Sequence, residues 1–447
     1  MRKLLAIYLA ICSTAFLCTS CFDDKEESVV TYPFAALKSF SIGSFYVNTN
    51  ATTSEGKDTV LAKKYPGSFY PFIIDQKSLE VYNPDSLPMG ADVTKLTTGV
   101  DCDGIAYFYT DSTDTYELVS SADSIDLSKP RKLLVASTNG ITLQAYTVKV
   151  NVHTVDPEVM YWQQLDASSV TTPQRAVLLD DKLLLFGRND DGAPVVCCYD
   201  ADNGWGSVEE LSVAGLEVEN VQLLSGVLYA TDGKSLYSST DGVDWSMFAA
   251  NTSVATLFAA TNDGLWAVTT SDSIAHSTDG INFELVQPLD KNFPVRNLSV
   301  AQYPLLTNPD IMRTVVVGYP AAENSLPQVW SRLSTEKTWA HYKPLGDGTF
   351  DCPALKPLSV VRYDNSLYAF GGKGVVADEV VTPFETIYSS PDNGLTWKAL
   401  AKVKLPEQLK DNDAPFAAVA DSDNYMWIIV GGEKPAVWRG RINRLSF

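Results

Sequence analysis

Short runs rich in β-branched and aromatic residues recur between Gly, Asp and Asn turns along most of the chain. No long stretch carries the 3.6-residue period of an amphipathic helix. The pattern predicts an all-β protein. Ala176-Val177-Leu178-Leu179, Leu183-Leu184-Leu185-Phe186 and Val195-Val196-Cys197-Cys198 are typical runs. A seam at Val155-Asp156-Pro157-Glu158 separates two regions of different character, 33–154 and 159–447. In the first, the spacing predicts strands over 40–48, 68–74, 132–136 and 143–153. The last two alternate apolar and polar residues around Asn139-Gly140, a hairpin signal. In the second, one aromatic strand recurs with anchors at Trp162, Trp205, Trp245, Phe283, Trp339 and Trp397, about 40–60 residues apart. Two or three further runs lie between anchors, which is the pattern of β-propeller blades. The region opens on the aromatic strand at Trp162 and closes on three strands near 416–419, 425–430 and 436–445. We therefore expect six blades, the first strand completing the last blade so that no sheet edge stays open.

The first residues follow another rule. Met1-Arg2-Lys3 is basic, Leu4 to Leu17 is apolar, and Cys18-Thr19-Ser20-Cys21 is small. That layout predicts a signal peptide over 1–20, and the apolar run is too short for a comfortable membrane span. No later segment reads as a span. Leu17 to Cys21 resembles a bacterial lipobox, which implies cleavage before Cys21 and lipidation of that cysteine. Phe22-Asp23-Asp24-Lys25-Glu26-Glu27 reads as a solvated tether over 21–32. It also resembles the surface-export signal of Bacteroidetes lipoproteins, implying a lipid-anchored, surface-exposed place on the outer membrane.

Charge narrows the partners. The chain has 54 acidic against 34 basic residues, a net charge of −20, and loses Arg2 and Lys3 with the signal. Such a surface repels phosphate backbones, so no nucleic-acid partner is expected. Cys102, Cys197, Cys198 and Cys352 are too sparse for a disulfide scaffold. Cys197 and Cys198, adjacent in a strand, should face opposite ways as packing residues. His153, His276 and His341 show no metal-ligand spacing, so neither metal nor cofactor is expected. Asp180-Asp181, Asp190-Asp191 and Asp200-Ala201-Asp202-Asn203-Gly204 read as turns. The last lacks the later Glu of a calcium loop.

Several resemblances follow. Gly90 to Leu96 with the Asn139-Gly140 hairpin resembles the immunoglobulin-like sandwich modules of Bacteroidetes surface proteins, implying such a module over 33–154. Ser390-Pro391-Asp392-Asn393-Gly394-Leu395-Thr396-Trp397 resembles the Asp-box of sialidase-like propellers. Shorter versions stand at Ser239, Asp241, Gly242 and Trp245, and at Ser277, Asp279, Gly280 and Phe283. The Asp carboxylate can take backbone N–H groups, Gly tolerates positive φ, and the aromatic packs inside the blade. Phe370-Gly371-Gly372 with Tyr388 and Trp397, echoed at Val430-Gly431-Gly432, resembles a kelch repeat. Gly371-Gly372-Lys373-Gly374 lacks the strand–helix setting of a phosphate loop. The ending Val437 to Leu445 resembles that of a Bacteroidetes lipoprotein family of unknown function with this two-part layout.

Asp-boxes mark a fold, not an activity. The sialidase resemblance would require three arginines on a substrate carboxylate, a Tyr–Glu pair and an acid/base Asp. Arg175, Arg296 and Arg362 are the candidates, but no Arg-Ile-Pro-like motif precedes the first Asp-box, and no Gly-x-Ser-x-Gly elbow occurs. No catalytic residue is assigned. The sequence favours non-catalytic recognition of a glycan or a protein partner by the propeller. A glycan-active enzyme of sialidase-like or lyase-like type is the alternative.

Overall fold

Apolar runs in the second region stay hydrophobic at every position because both faces of each strand are covered. In the strand Lys182–Arg188, Leu184 and Phe186 pack into one core while Leu183 and Leu185 pack into another. The same alternation sends Cys197 into one of these cores and Cys198 against the other. The expectation of opposed packing cysteines holds.

The computed structural model describes residues 31, 33–52, 57–110, 114–343 and 348–446. The predicted signal peptide, Cys21 and nearly all of the tether lie outside the described residues. The chain divides into two compact units, at Pro157/Glu158.

In the first unit, the described residues form three sheets. Leu37–Ile42, Leu96–Cys102 and Ser124–Ile125 form one, and Phe45–Thr52 pairs with Asp58–Tyr65 in another. The third runs Ile73–Asp75, Glu80–Tyr82, Leu143–Lys149, Arg131–Ala136, Ile105–Thr110, Thr115–Leu118. Glu80–Tyr82 pairs parallel to Leu143–Lys149, and the other pairs in this sheet are antiparallel. Leu37, Phe40, Phe45, Val81, Leu133, Val135 and Tyr146 from all three sheets share one core. The buried Tyr146 hydroxyl donates to Gln76 Oε1 (2.8 Å) and accepts from Leu37 N (3.1 Å), so its polar tip is satisfied.

Three strand expectations need correction here. The run 40–48 is two strands, broken where Gly43 N donates to Thr97 O; a Cβ on Gly43 would lie 2.0 Å from Thr97 Oγ1. The run 68–74 is not a strand: a 3₁₀ turn spans Gly67–Phe69, and only Ile73–Asp75 pairs. Pro66 and Pro71 flank that turn and have no N–H to give a ladder. The expected hairpin is present, Ala136 opposite Leu143, but a six-residue loop closes it instead of a two-residue turn.

In the second unit, the described residues form six sheets of four strands. Five are continuous in sequence, their first strands being Thr172–Leu179, Gln222–Leu224, Val254–Thr261, Arg296–Pro304 and Ala354–Tyr363. An extra strand, Glu379–Val381, pairs onto the fifth sheet. The sixth sheet starts at Phe416–Ala420, and its fourth position is taken by Met160–Leu165, which pairs with Ala436–Ile442 from Met160↔Ile442 to Leu165↔Val437. The anchors Trp162, Trp205, Trp245, Phe283, Trp339 and Trp397 lie on, or immediately before, the fourth strands.

First strands neighbour one another around a ring. Thr172–Leu179 contacts Phe416–Ala420, which contacts Ala354–Tyr363, then Arg296–Pro304, Val254–Thr261 and Gln222–Leu224 in turn. An apolar core fills each gap between neighbouring sheets, including the gap between sixth and first, where Trp427 and Ile429 meet Leu183 and Leu185. The third and fourth sheets are also joined by charge. Arg332 is 5% exposed; its Nη2 lies 2.6 Å from Asp263 Oδ2, and its guanidinium sits 4.4 Å from the centroid of the Trp266 ring. Asp263→Ala would strand that buried guanidinium. We expect it to lower unfolding free energy by about 3–5 kcal/mol in a urea titration; a loss below about 1 kcal/mol would show that the pair does not tie the sheets.

Candidate functional site

The inner ends of four sheets line a cavity of about 280 Å³ that opens to solvent. Its wall comes from four first strands: Gln174, Arg175 and Ala176; Asn297 to Gln302; Pro357 to Arg362; and Phe416 to Ala420. The sequence makes these walls from strands because their apolar neighbours are held in the flanking cores, among them Ala176, Val177, Ala301, Leu358 and Val360. The polar wall residues have two kinds of work. Asn297 Oδ1 accepts from Leu358 N (2.6 Å) and Ser299 Oγ from Val360 N (2.9 Å), tying the fourth sheet's first strand to the fifth's. Gln302 Nε2 donates to Thr314 Oγ1 (3.3 Å). Gln174, Arg175 and Arg362 instead keep buried polar atoms without a partner: Oε1, Nε and Nη1 respectively.

A backbone irregularity positions two of these groups. Pro173 pairs with Gly187 and Arg175 with Phe186, so Gln174 is an extra residue, a β-bulge. Bulges re-aim side chains, and both Gln174 and Arg175 reach the cavity wall. Arg362 is fixed differently, its guanidinium 3.9 Å from the centroid of the Tyr303 ring. Tyr303 is held in turn by its hydroxyl, which donates to Asn393 Oδ1 (2.8 Å). Burial pushes both guanidinium groups below their ordinary values, yet arginine stays charged.

The three arginine candidates therefore separate. Arg175 and Arg362 share the cavity. Arg296 is not on its wall; it donates to Pro320 O (2.9 Å) and Ala322 O (2.7 Å) and holds a loop. The wall carries no Asp, Glu, His, Cys or Tyr. Among the described residues no group of three His, Cys, Asp or Glu is arranged to hold a metal. The acidic run at 200–204 is a turn: Asp200 Oδ1 accepts from Asp202 N (2.9 Å) and Asn203 N (3.2 Å).

The Asp-box residues sit away from the cavity, in turns leading into fourth strands. Asp392 Oδ1 accepts from Thr396 N (2.9 Å) and Ser390 Oγ (2.7 Å), and Gly394 N donates to Ser390 Oγ (2.8 Å). Asp241 Oδ1 takes Val243 N and Asp244 N, and Asp279 Oδ1 takes Ile281 N and Asn282 N, all at 2.8–2.9 Å. Ser239 and Ser277 donate to Asp241 and Asp279 as Ser390 does to Asp392. Gly394 has φ +99°, and Gly242 and Gly280 are also left-handed; a Cβ on Gly394 would lie 2.7 Å from Val329 Cγ1. Trp245 and Trp397 are buried between sheets, and each donates Nε1–H to its own box glycine, Gly242 O (3.0 Å) and Gly394 O (3.2 Å). Phe283 is half-buried and has no such donor. The Trp–Gly bond was not anticipated from the sequence. Gly371 to Gly374 lie within the strand Ser366–Val376, where Cβ atoms on Gly371, Gly372 or Gly374 would come within 2.1 Å of carbonyl oxygens of the neighbouring strand.

The class these features define is an all-β protein whose second unit is a β-propeller domain. The chain belongs to the DUF6242 family: the DUF6242 beta propeller domain matches residues 156–447, and the DUF6242 N-terminal domain, of unknown function, matches 40–150. No curated protein sequence matches at a significant level. Solved structures give distant likenesses. A DUF4623 family protein from Bacteroides eggerthii is 12% identical, with a TM-score of 0.37, covering 91% of this chain and 98% of that one. YCF48 bound to D1 peptide is 14% identical, with a TM-score of 0.39, over 63% of this chain and 94% of that one. The extracellular domain of a putative one component system from B. thetaiotaomicron is 13% identical, with a TM-score of 0.34, over 79% of this chain and 39% of that one.

Burial pushes the Asp392 carboxyl up, but hydrogen bonds from Thr396 and Ser390 outweigh it and hold the group below its ordinary value. A depressed folded value gives stability that is present above the unfolded value, about 3.9, and is lost as pH falls through the folded one. Asp392→Ala should therefore melt lower than the unaltered chain at pH 7, by about 2 kcal/mol. The gap should narrow below about pH 4. A gap independent of pH would assign the loss to packing.

Proposed function

We propose that this chain is a lipid-anchored, surface-displayed binding protein without catalytic activity. Cleavage leaves Cys21 as the lipid-bearing first residue on the outer membrane. Residues 21–32 form an acidic tether, 33–154 an immunoglobulin-like sandwich that serves as spacer, and 159–447 a six-bladed propeller closed by its own first strand. The propeller binds a glycan or a protein partner of an outer-membrane complex. The cavity carries this reading. It is walled by strands that neighbouring sheets hold rigid, and it offers polar contacts but no carboxylate, imidazole, thiol or phenol to move a proton or attack a bond. That lining also counts against the sialidase-like alternative, which needs a Tyr–Glu pair and a third arginine.

Four measurements test this. In the cells that make the protein, a clickable palmitate analogue should label the full chain and not Cys21→Ala, and external protease should degrade it on intact cells. The purified full chain, run on a glycan array and a glycosidase panel, should bind without turnover. Equal labelling of the Cys21→Ala variant removes the lipid anchor, and turnover on the panel restores the enzyme reading.

A further inference from the structure

Charge inside the cavity runs opposite to charge outside it. The chain carries −20 overall, yet the only charged residues on the cavity wall are Arg175 and Arg362. Arg175 has no hydrogen bond or ion pair among the described residues. Arg362 is fixed by a ring, not by a carboxylate. Both arginines are half-buried, and partly desolvated cations are normally paired, because desolvation is costly without a counter-charge. Neither has an ion pair among the described residues, and the Asp364 carboxylate that acts on Arg362 is itself bound to Arg444.

The lining specifies a ligand. Arg175 and Arg362 both stand on the wall, and a planar guanidinium suits the two oxygens of an oxyanion. Gln174, brought to the same wall by the bulge, offers its amide to a hydroxyl. Ser359 lines the wall as well. A volume of about 280 Å³ fits a solute of single-sugar size. We propose that this cavity is a receptor for a small hydroxylated oxyanion of the sugar-acid or sulfated-sugar class. Arg175 and Arg362 take the anionic group and Gln174 takes a hydroxyl. This rests on the binding reading above and deepens it by naming the ligand's chemistry.

Calorimetric titration of the full chain in detergent micelles at fixed ionic strength tests the inference. The probes are glucuronate, galacturonate, glucose 6-sulfate, glucose and acetate. At least one of the three anionic sugars should bind, and which one binds distinguishes carboxylate from sulfate ester. Glucose should not bind, and acetate, lacking the hydroxyls, should be about tenfold weaker. Arg175→Gln and Arg362→Gln should each weaken the best probe at least about tenfold. Arg175→Lys and Arg362→Lys, which keep the charge and lose the fork, should fall between; they serve if a Gln variant melts early. Silence with all three anionic sugars, glucose matching the best of them, or unchanged affinity in the arginine variants would overturn the proposal. Array binding that ignores both arginine substitutions would sink this site and leave the binding reading standing. Anionic-sugar binding by a chain that external protease cannot reach would leave the site standing and sink the display reading.

Discussion

Pairing between Met160–Leu165 and Ala436–Ile442 is the constraint on which the second unit depends. Each sheet is apolar on both faces, so each needs a neighbour on either side. A row of such sheets would leave two uncovered faces and an open edge. Returning the first strand to the last sheet removes the edge, and the core between sixth and first sheets covers the two faces. Polar contacts gather at this junction. Trp162 Nε1 donates to Lys404 O (2.7 Å), and the Tyr363 hydroxyl bridges Asn424 O and Ile442 N. Arg444 reaches Asp364 with two nitrogens and Glu158 with a third, so one side chain near the end of the chain clasps the fifth sheet and the start of the unit.

The cavity is a consequence of that closure. Its wall strands cannot move independently, because each is hydrogen-bonded along one edge and held between cores on both faces. Asn297 and Ser299 add rungs between the fourth and fifth sheets, spending their side chains on the scaffold. What remains uncommitted on the wall is a small set: two guanidinium groups, the Gln174 amide and Ser359. Both guanidinium groups are half-buried without an ion pair, a desolvation cost that the cooperative burial of six cores offsets. The Ser-Asp-Gly turns at 239–242, 277–280 and 390–394 serve the same end away from the cavity, each fixing the approach to a fourth strand and a Trp or Phe beneath it.

Features set by local rules could be read in the sequence. Continuous apolar runs come from strands covered on both faces, and the anchor from Trp162 to Trp397 recurs because each sheet repeats the same outer strand. The turn chemistry of Asp241, Asp279 and Asp392 is local to a few residues, so its hydrogen bonds follow from residue type. Features set by distant residues were not legible. The prolines flanking 68–74 are a local exception: Pro66 and Pro71 cannot donate to a ladder, and they outweigh the apolar pattern between them. Nothing near Arg332 indicates that Asp263 lies against it. The bulge at Gln174 depends on register with Gly187 and Phe186. The different fates of Arg175, Arg296 and Arg362 depend on which carbonyls or rings each strand end meets, and all three look alike in the sequence.

The opposed charges of surface and cavity have a physical consequence for selection. At physiological salt the field of the acidic surface fades over about 8 Å. An extended polyanion would keep many charges within that range of the surface while placing one group at the arginines, so repulsion would grow with its length. A compact anion exposes one charge to the same repulsion and then gains two desolvated guanidinium contacts, which screening weakens far less. On the binding proposed above, a cationic cavity in a chain of net charge −20 would discriminate by size as well as by charge, favouring a single acidic sugar or a chain end over nucleic acid and long acidic glycans.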